Sequence, residues 1–466
     1  MNELRVDRRY GVVAILPGMR LLGTLLAFCY LVTIASLAYW QGSTSMPILA
    51  GLAAMVMATV WPLLAGRPDW GWFHPIVFCP LLAFLTRQLP LSGVFVLGMN
   101  HHNALPTWSP DDLNSLVATE LWLTALGLIC YYAGHLSGLG PPRPRLNAKP
   151  PRFLVPVLVS FVVLSSSLFL WFLSTRGGLL FHLAAWADVG RQQALGGWGA
   201  LVRLTRFGSF AVLIWLAFDR KALRNPVFWI AAVVSLAINF LGTGSRSSVL
   251  VMLIAAVAVV SMRTGKLRWR TAFVVALASL VLLGLLGAVR RSGSADELEE
   301  GSRSTGEWLE AAIVEMATRE SVTSSSYPIL ALVPEQLDLL WGRTYLVAVT
   351  GFIPRAVWPD RPRTAGRMAG EQLFSIQGGR PPGAIGEAYW NLHIPGIVFV
   401  HFLFGVFHRW VALTVRENPQ APVGLVLLTL TLTLPTPTGT ALLEWLYSTA
   451  TIGVIAWCIG LFRRSS

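Results

Sequence analysis

The sequence predicts an all-α, polytopic membrane protein, and three observations carry that prediction. Of 466 residues, 54% are apolar and only 13% are charged, against about 25% charged in a soluble domain. Apolar stretches of about 20 residues, the length that crosses a hydrocarbon core as a helix, recur along most of the chain. Basic residues gather in the short segments between them. The net charge of +13 therefore reads as loops facing anionic membrane lipid, with no nucleic-acid partner expected.

Taken in order, the spans are expected near 21–40, 46–66, 73–90, 113–135, 153–174, 200–217, 226–243, 246–262, 270–289, 394–412, 422–440 and 443–462, about twelve transmembrane helices in all. The stretch 73–99 is ambiguous, and 344–358 suits a re-entrant segment. The first run is long enough to span and lacks a small-residue cleavage site, so no cleaved signal is expected. The basic segments "ELRVDRRYG", "PPRPRLNAKPPR", "DRKALR", "RTGKLRWR" and "FRRSS" alternate with less basic ones, which predicts an N-in/C-in topology. The chain has three lysines, Lys149, Lys221 and Lys266, all in the expected cytoplasmic loops. Cations elsewhere are arginines, whose planar fork matches carboxylate and phosphate oxygens. The outer face is thus where chemistry is expected. Cys29, Cys79, Cys130 and Cys458 lie in apolar runs without CxxC spacing and read as small buried hydrophobes. The whole of 1–466 reads as one membrane domain, with a large outer loop at 290–393.

That loop begins with a polar piece, "VRRSGSADELEEGSRS". In the following "GEWLEAAIVEMATRE", Trp308, Leu309, Ile313 and Met316 recur at helical spacing, which predicts a helix lying in the interface. "DLLWGRTYLVAVTGFIP" is too broken for a simple span. Its continuation, "GFIPRAVWPDRPRTAGRMAG" (351–370), holds Arg355, Arg361, Arg363 and Arg367 beside Phe352 and Trp358, and is kinked by Pro354, Pro359 and Pro362. Rings next to guanidinium forks suit a sugar joined to a phosphate.

Other candidates have competing roles. Arg246, in the turn "NFLGTGSRSSVL", fits an anion clamp at the mouth of a cavity or a snorkelling headgroup contact. Arg290 and Arg291 end the ninth span as anion ligands or interfacial anchors. Arg319 joins them or pairs with Glu315 or Glu320 on its own helix. Arg203 and Arg206 share a helix face at the outer end of the sixth span. "GEAYWNLHIPG" places Glu387 and Tyr389 just before the tenth span. The carboxylate there is a salt-bridge partner, a sugar-hydroxyl acceptor or a general base, with His393 as a second proton carrier. "NHHN" (100–103) with Asp111 and Asp112 is a weak alternative as a metal site. The chain has no P-loop, no HExxH and no nucleophile elbow.

The ordered set "GTGSRSSVL", "AVRRSG", "TRE", "GFIPRAVWPDRP" and "GEAYWN" over about 240–391 resembles the Wzy-type polymerases of O-antigen and related oligosaccharide repeat units. The resemblance implies an enzyme of the bacterial cytoplasmic (inner) membrane that acts at its outer face. It implies polyprenyl-pyrophosphate-linked oligosaccharides as donor and acceptor, no metal, no cofactor, and a separate chain-length-regulating co-polymerase as a further partner. By the same resemblance, Arg246, Arg355, Arg290 and Glu387 are the catalytic set. Arg319 and Arg291 match the family's motifs as substrate-binding residues, with Arg361 or Arg363 able to take the place of Arg355; Arg206, Trp358 and Tyr389 are expected from their positions to bind substrate as well. The rival readings are an O-antigen ligase, a metal-dependent glycosyltransferase built on Asp111 and Asp112, and a lipid-linked oligosaccharide flippase.

Overall fold

The computed structural model describes residues 17–40, 45–67, 70–85, 108–144, 153–179, 181–182, 204–219, 221–243, 246–264, 325–353, 357–375, 379–418, 421–434 and 436–459. Among these residues the regular structure is wholly helical. In order, the α-helices are α1 (Pro17–Trp40), α2 (Met46–Ala65), α3 (Pro75–Ala83), α4 (Pro110–Leu136), α5 (Leu154–Ser174), α6 (Phe207–Phe218), α7 (Pro226–Thr243), α8 (Arg246–Thr264), α9 (Ser326–Leu332), α10 (Arg343–Thr350), α11 (Ala365–Leu373), α12 (Gly383–Glu417), α13 (Pro422–Leu432) and α14 (Gly439–Cys458).

Six of the described helices (α1, α2, α4, α5, α12 and α14) are long and apolar enough to cross a membrane. Four shorter apolar helices, α6, α7, α8 and α13, fall on further expected spans. The expectation of twelve full-length spans is therefore met only in part. Helix α3 covers nine residues of 73–90, of which 86–90 lie outside the described residues. Helix α13 ends after eleven residues at Leu432, ahead of Pro435 and Pro437. The expected span 270–289 and the interfacial helix near 306–320 lie outside the described residues. Apolar side chains point outward from several helices, among them Leu21, Leu25 and Phe28 on α1, Leu170 and Trp171 on α5, and Trp229, Ile230 and Val233 on α7. Such a surface fits hydrocarbon, which offers backbone groups no alternative partner and so favours helices.

Two packed groups make up the bundle. Helices α1, α2 and α4 share one apolar core, and α5–α8 share another with α13 and α14. Helix α12 packs mainly on α4, the two running parallel. Their backbones nearly touch: a Cβ on Gly134 would lie 1.9 Å from the Phe402 carbonyl oxygen, and one on Gly405 would lie 2.0 Å from that of Tyr131. In lipid the apolar effect between helices is weak, and close van der Waals contact through small residues takes its place.

Helix α12 is broken within its length. Leu392 and His393 leave helical geometry, with His393 at φ 57°. Pro395 explains the break, because it lacks an N–H and its ring crowds the carbonyl four residues back. The released carbonyls are taken up by the preceding loop: Leu340 N–H donates to Trp390 O (3.0 Å) and Trp341 N–H to Asn391 O (3.0 Å). The break thereby holds α10 against the end of the bundle at which α4, α12 and α14 begin, called the head end below.

Candidate functional site

The head end is organised by the first turns of α14, "GTALLEWLYS". Thr438 caps the helix, its hydroxyl accepting from Ala441 N–H at 3.1 Å. Gly439 is needed next, because a Cβ there would lie 2.4 Å from the Thr344 carbonyl and 2.9 Å from Glu387 Oε1. Its N–H donates to Glu387 Oε1 at 3.2 Å. Glu387 is only 2% exposed. Asn391 Nδ2 donates to Thr344 Oγ1 (2.8 Å) and to the Glu387 carbonyl (2.7 Å). Tyr345 adds a bond from its hydroxyl to Pro437 O at 3.4 Å. A carboxylate at a helix N-terminus is favoured by the free N–H groups and the helix dipole, so Glu387 acts here as a keystone between α12, α10 and α14. Glu387→Ala is expected to lower stability by about 1–3 kcal/mol, because buried donors lose their acceptor. Glu387→Gln, which keeps an acceptor oxygen, should cost less. Thermal unfolding in detergent ranks the two, and equal losses would contradict the capping role.

Beside this keystone lies a cavity of about 220 Å³. Its polar lining comes from Arg206, Asn239, Thr433, Glu444, Trp445 and Ser448, and Val251 and Met252 of α8 form part of its apolar wall. Arg206 precedes α6 and forms an ion pair with Glu444 on α14, the side chains being 22% and 30% exposed. Trp445 Nε1 donates to Thr431 Oγ1 at 3.1 Å, which fixes the indole. Arg246 is the first residue of α8, so the helix that carries it also contributes to this wall.

The arginine-rich stretch divides into two parts. Arg361 donates to the carbonyls of Gly351 (2.7 Å) and Ile353 (2.8 Å) just beyond α10. The same Gly351 carbonyl accepts from Tyr447 on α14 at 3.2 Å, and the Phe352 and Tyr447 rings lie 4.2 Å apart. Arg361 therefore braces the turn after α10, which Tyr447 ties to α14, and it does not line the cavity. Arg363 and Arg367 both pair with Glu371 on the surface. The Arg367 hydrogen bond is the main reason that the Glu371 carboxyl titrates below its usual range. At this exposure the pairs add little, and Arg363→Ala is expected to leave the unfolding temperature unchanged at moderate salt. Trp358 is 40% exposed on the same segment. The Tyr389 and His393 rings lie 4.1 Å apart, tilted at 40°, at the break in α12.

Arg290, Arg291, Arg319, Arg355 and the "NHHN" stretch lie outside the described residues. Asp111 and Asp112 stand in the first turn of α4, where Ser109 Oγ bonds to Asp112. Among the described residues no group of three His, Cys, Asp or Glu side chains is placed to hold a metal ion.

The residue that sequence reasoning missed is Glu444. A lone ionisable group inside an apolar span is by itself a sign of function, and "ALLEWLYS" carried that sign. Asn239, one turn before the "GTGSR" motif, was missed with it. The chain matches no family model, no curated protein and no solved structure.

Proposed function

We propose that this chain is a glycosyltransferase that polymerises polyprenyl-pyrophosphate-linked oligosaccharide repeat units at the outer face of the bacterial cytoplasmic membrane, with its head end outward. The observation that carries this reading is the head-end cavity, where Arg206, Glu444, Asn239, Ser448, Thr433 and Trp445 converge. Cation, carboxylate, amide, hydroxyls and indole together suit a sugar attached to a phosphate. Its volume of about 220 Å³ falls below the roughly 300–1,000 Å³ of pockets that engulf a whole ligand. It therefore suits the reacting sugar and its phosphate, with the rest of each substrate outside.

In the proposed reaction, a hydroxyl oxygen of the acceptor unit attacks the anomeric carbon of the donor chain. The bond from that carbon to the pyrophosphate oxygen breaks, and polyprenyl pyrophosphate leaves with the electron pair. Guanidinium groups placed before the reaction stabilise the charge that develops on the leaving group; Arg206 is one, and Arg246 at the start of α8 is assigned as a second. The hydroxyl proton passes to Glu444, the carboxylate on the cavity wall. Glu387 is assigned a positioning role, holding the turn of α14 that carries Glu444.

The test is an assay of the purified protein with synthetic polyprenyl-pyrophosphate repeat units, with and without EDTA, read as a ladder of products. A chelator-resistant ladder is expected. A single transfer onto a lipid-core acceptor would replace the reading by a ligase. A ladder abolished by EDTA would move the chemistry to Asp111 and Asp112.

A further inference from the structure

A second polar assembly lies away from the head-end cavity, along the interface of α4 and α12. Glu120, Thr124, Tyr131 and His135 on α4 recur at spacings of four, seven and four, so they lie along one strip of the helix. Opposite them α12 brings His401 and His408, both buried. Fifteen residues separate Glu120 from His135, about 22 Å of helix rise, which is most of a hydrocarbon core of about 30 Å.

The strip contains both bonded and open positions. Glu120 accepts from Ser326 Oγ at 3.0 Å, on the head-end side. Below it a second cavity of about 60 Å³ is lined by Glu120, Thr124, Tyr131, His401 and Thr436. A buried water needs roughly 10–15 Å³ of such space and two or more polar partners, so this cavity suits a short water chain. His401 Nδ1 meets the Ile397 carbonyl at 2.9 Å. That carbonyl can only accept, so Nδ1 carries the proton and Nε2 is left as an acceptor. Farther along, the Tyr131 hydroxyl meets His408 Nδ1 at 2.9 Å. The rings of His135 and His74 lie 5.2 Å apart. Among the described residues, His408 Nε2 and His135 Nδ1 are buried and have no hydrogen-bond partner. An unpartnered buried polar atom costs free energy, and here two fall on the same strip. His74 is only partly buried, so it opens the strip to the far end of the bundle. The charges that act on His74 and His135 there are Arg416, Arg409 and Arg67, and the Arg143–Glu417 ion pair lies at the same end of α12.

We propose that the α4–α12 interface is a proton-conducting path joining the two faces of the membrane, from Glu120 through the small cavity and Tyr131 with His408 to His135 and His74. Each imidazole takes a proton on one nitrogen and gives one up from the other, and Glu120 and Tyr131 exchange protons with their neighbours. One proton enters and one leaves per passage, driven by the electrochemical gradient, with no other bond made or broken. Chains of carboxyl and imidazole groups inside a membrane are the usual material of such relays. The proposal stands apart from the polymerase reading, since neither Arg206 nor Glu444 belongs to the path.

The test is proton flux into vesicles that enclose a pH-sensitive dye, with the full chain reconstituted and a potassium gradient with valinomycin as the driving force. Flux above that of protein-free vesicles is expected for the unaltered protein and for Glu417→Gln, a surface change off the path. Glu120→Gln and Tyr131→Phe are expected to return the flux to the protein-free level. Tyr131→Phe keeps the ring and removes only the hydroxyl, so it decides the matter if Glu120→Gln fails to fold. Flux no higher than in protein-free vesicles, or flux that survives Tyr131→Phe in folded protein, overturns the path.

Discussion

Glu444→Gln is expected to lower kcat for repeat-unit polymerisation by about 10²–10⁴-fold, the range found when a general base is lost, while KM for the pyrophosphate-linked donor holds or falls. Glutamine keeps the size of the side chain and an oxygen that Arg206 can bond. It removes the basic oxygen that would take the hydroxyl proton. It also removes the negative charge beside Arg206, and a guanidinium freed of its counter-charge should hold pyrophosphate more firmly. A purely structural ion pair predicts the opposite pattern. In that case the variant would lose thermal stability, and its kcat would follow the amount of folded protein. Arg206→Lys gives the complementary readout. Lysine keeps the charge but loses the fork, so donor KM should rise even where the pairing with Glu444 survives. Steady-state kinetics at several donor concentrations, with unfolding curves on the same preparations, separate the two accounts.

The second large effect is expected in the packing of α4 on α12. Gly405→Ala places a methyl group 2.0 Å from the Tyr131 carbonyl oxygen and 2.8 Å from His135 N. No rotamer relieves that contact, because the atoms met are backbone. The helix axes must separate, which weakens the Tyr131–His408 bond along with the van der Waals contact. Overpacking of this kind costs about 1–3 kcal/mol and occasionally more, and Gly405→Ala belongs at the upper end because the obstacle cannot turn aside. Gly453→Ala on α14 is the matched control, since a Cβ there meets nothing within 4 Å. Helix propensity alone then favours alanine by up to about 1 kcal/mol. Thermal unfolding in one detergent should move in opposite directions for the two variants. A similar shift for both would refute the close approach of the two helices.

Much of the helical layout could be read directly from the chain. Apolar runs at 21–40, 46–66, 113–135, 153–174 and 443–462 correspond to α1, α2, α4, α5 and α14, because a long apolar run with few charges leaves the backbone no better partner than itself. One shortfall lies where proline intervenes. Pro435 and Pro437 separate α13 from α14, while the expected span at 422–440 runs across both. A hydropathy window averages over such positions and extends the span across them.

The candidate site was legible in part. That Arg206 stands at a helix end near other polar groups follows from its place before an apolar run. That Glu444, 238 residues later, is its partner does not follow from any local pattern. Glu387 was legible as a carboxylate beside a span, and its three readings could not be separated by spacing. Its engagement with Gly439, 52 residues away, depends on the break in α12 and on the loop at Leu340 and Trp341 that fills it. The sequence alone determined that the chain is helical and apolar enough for a membrane, and that its arginines and carboxylates gather near helix ends, because hydropathy and charge act locally along the backbone. Which carboxylate faces a cavity and which is closed into a helix cap was decided only by tertiary structure, since that choice depends on how helices distant in the chain rotate and press against one another.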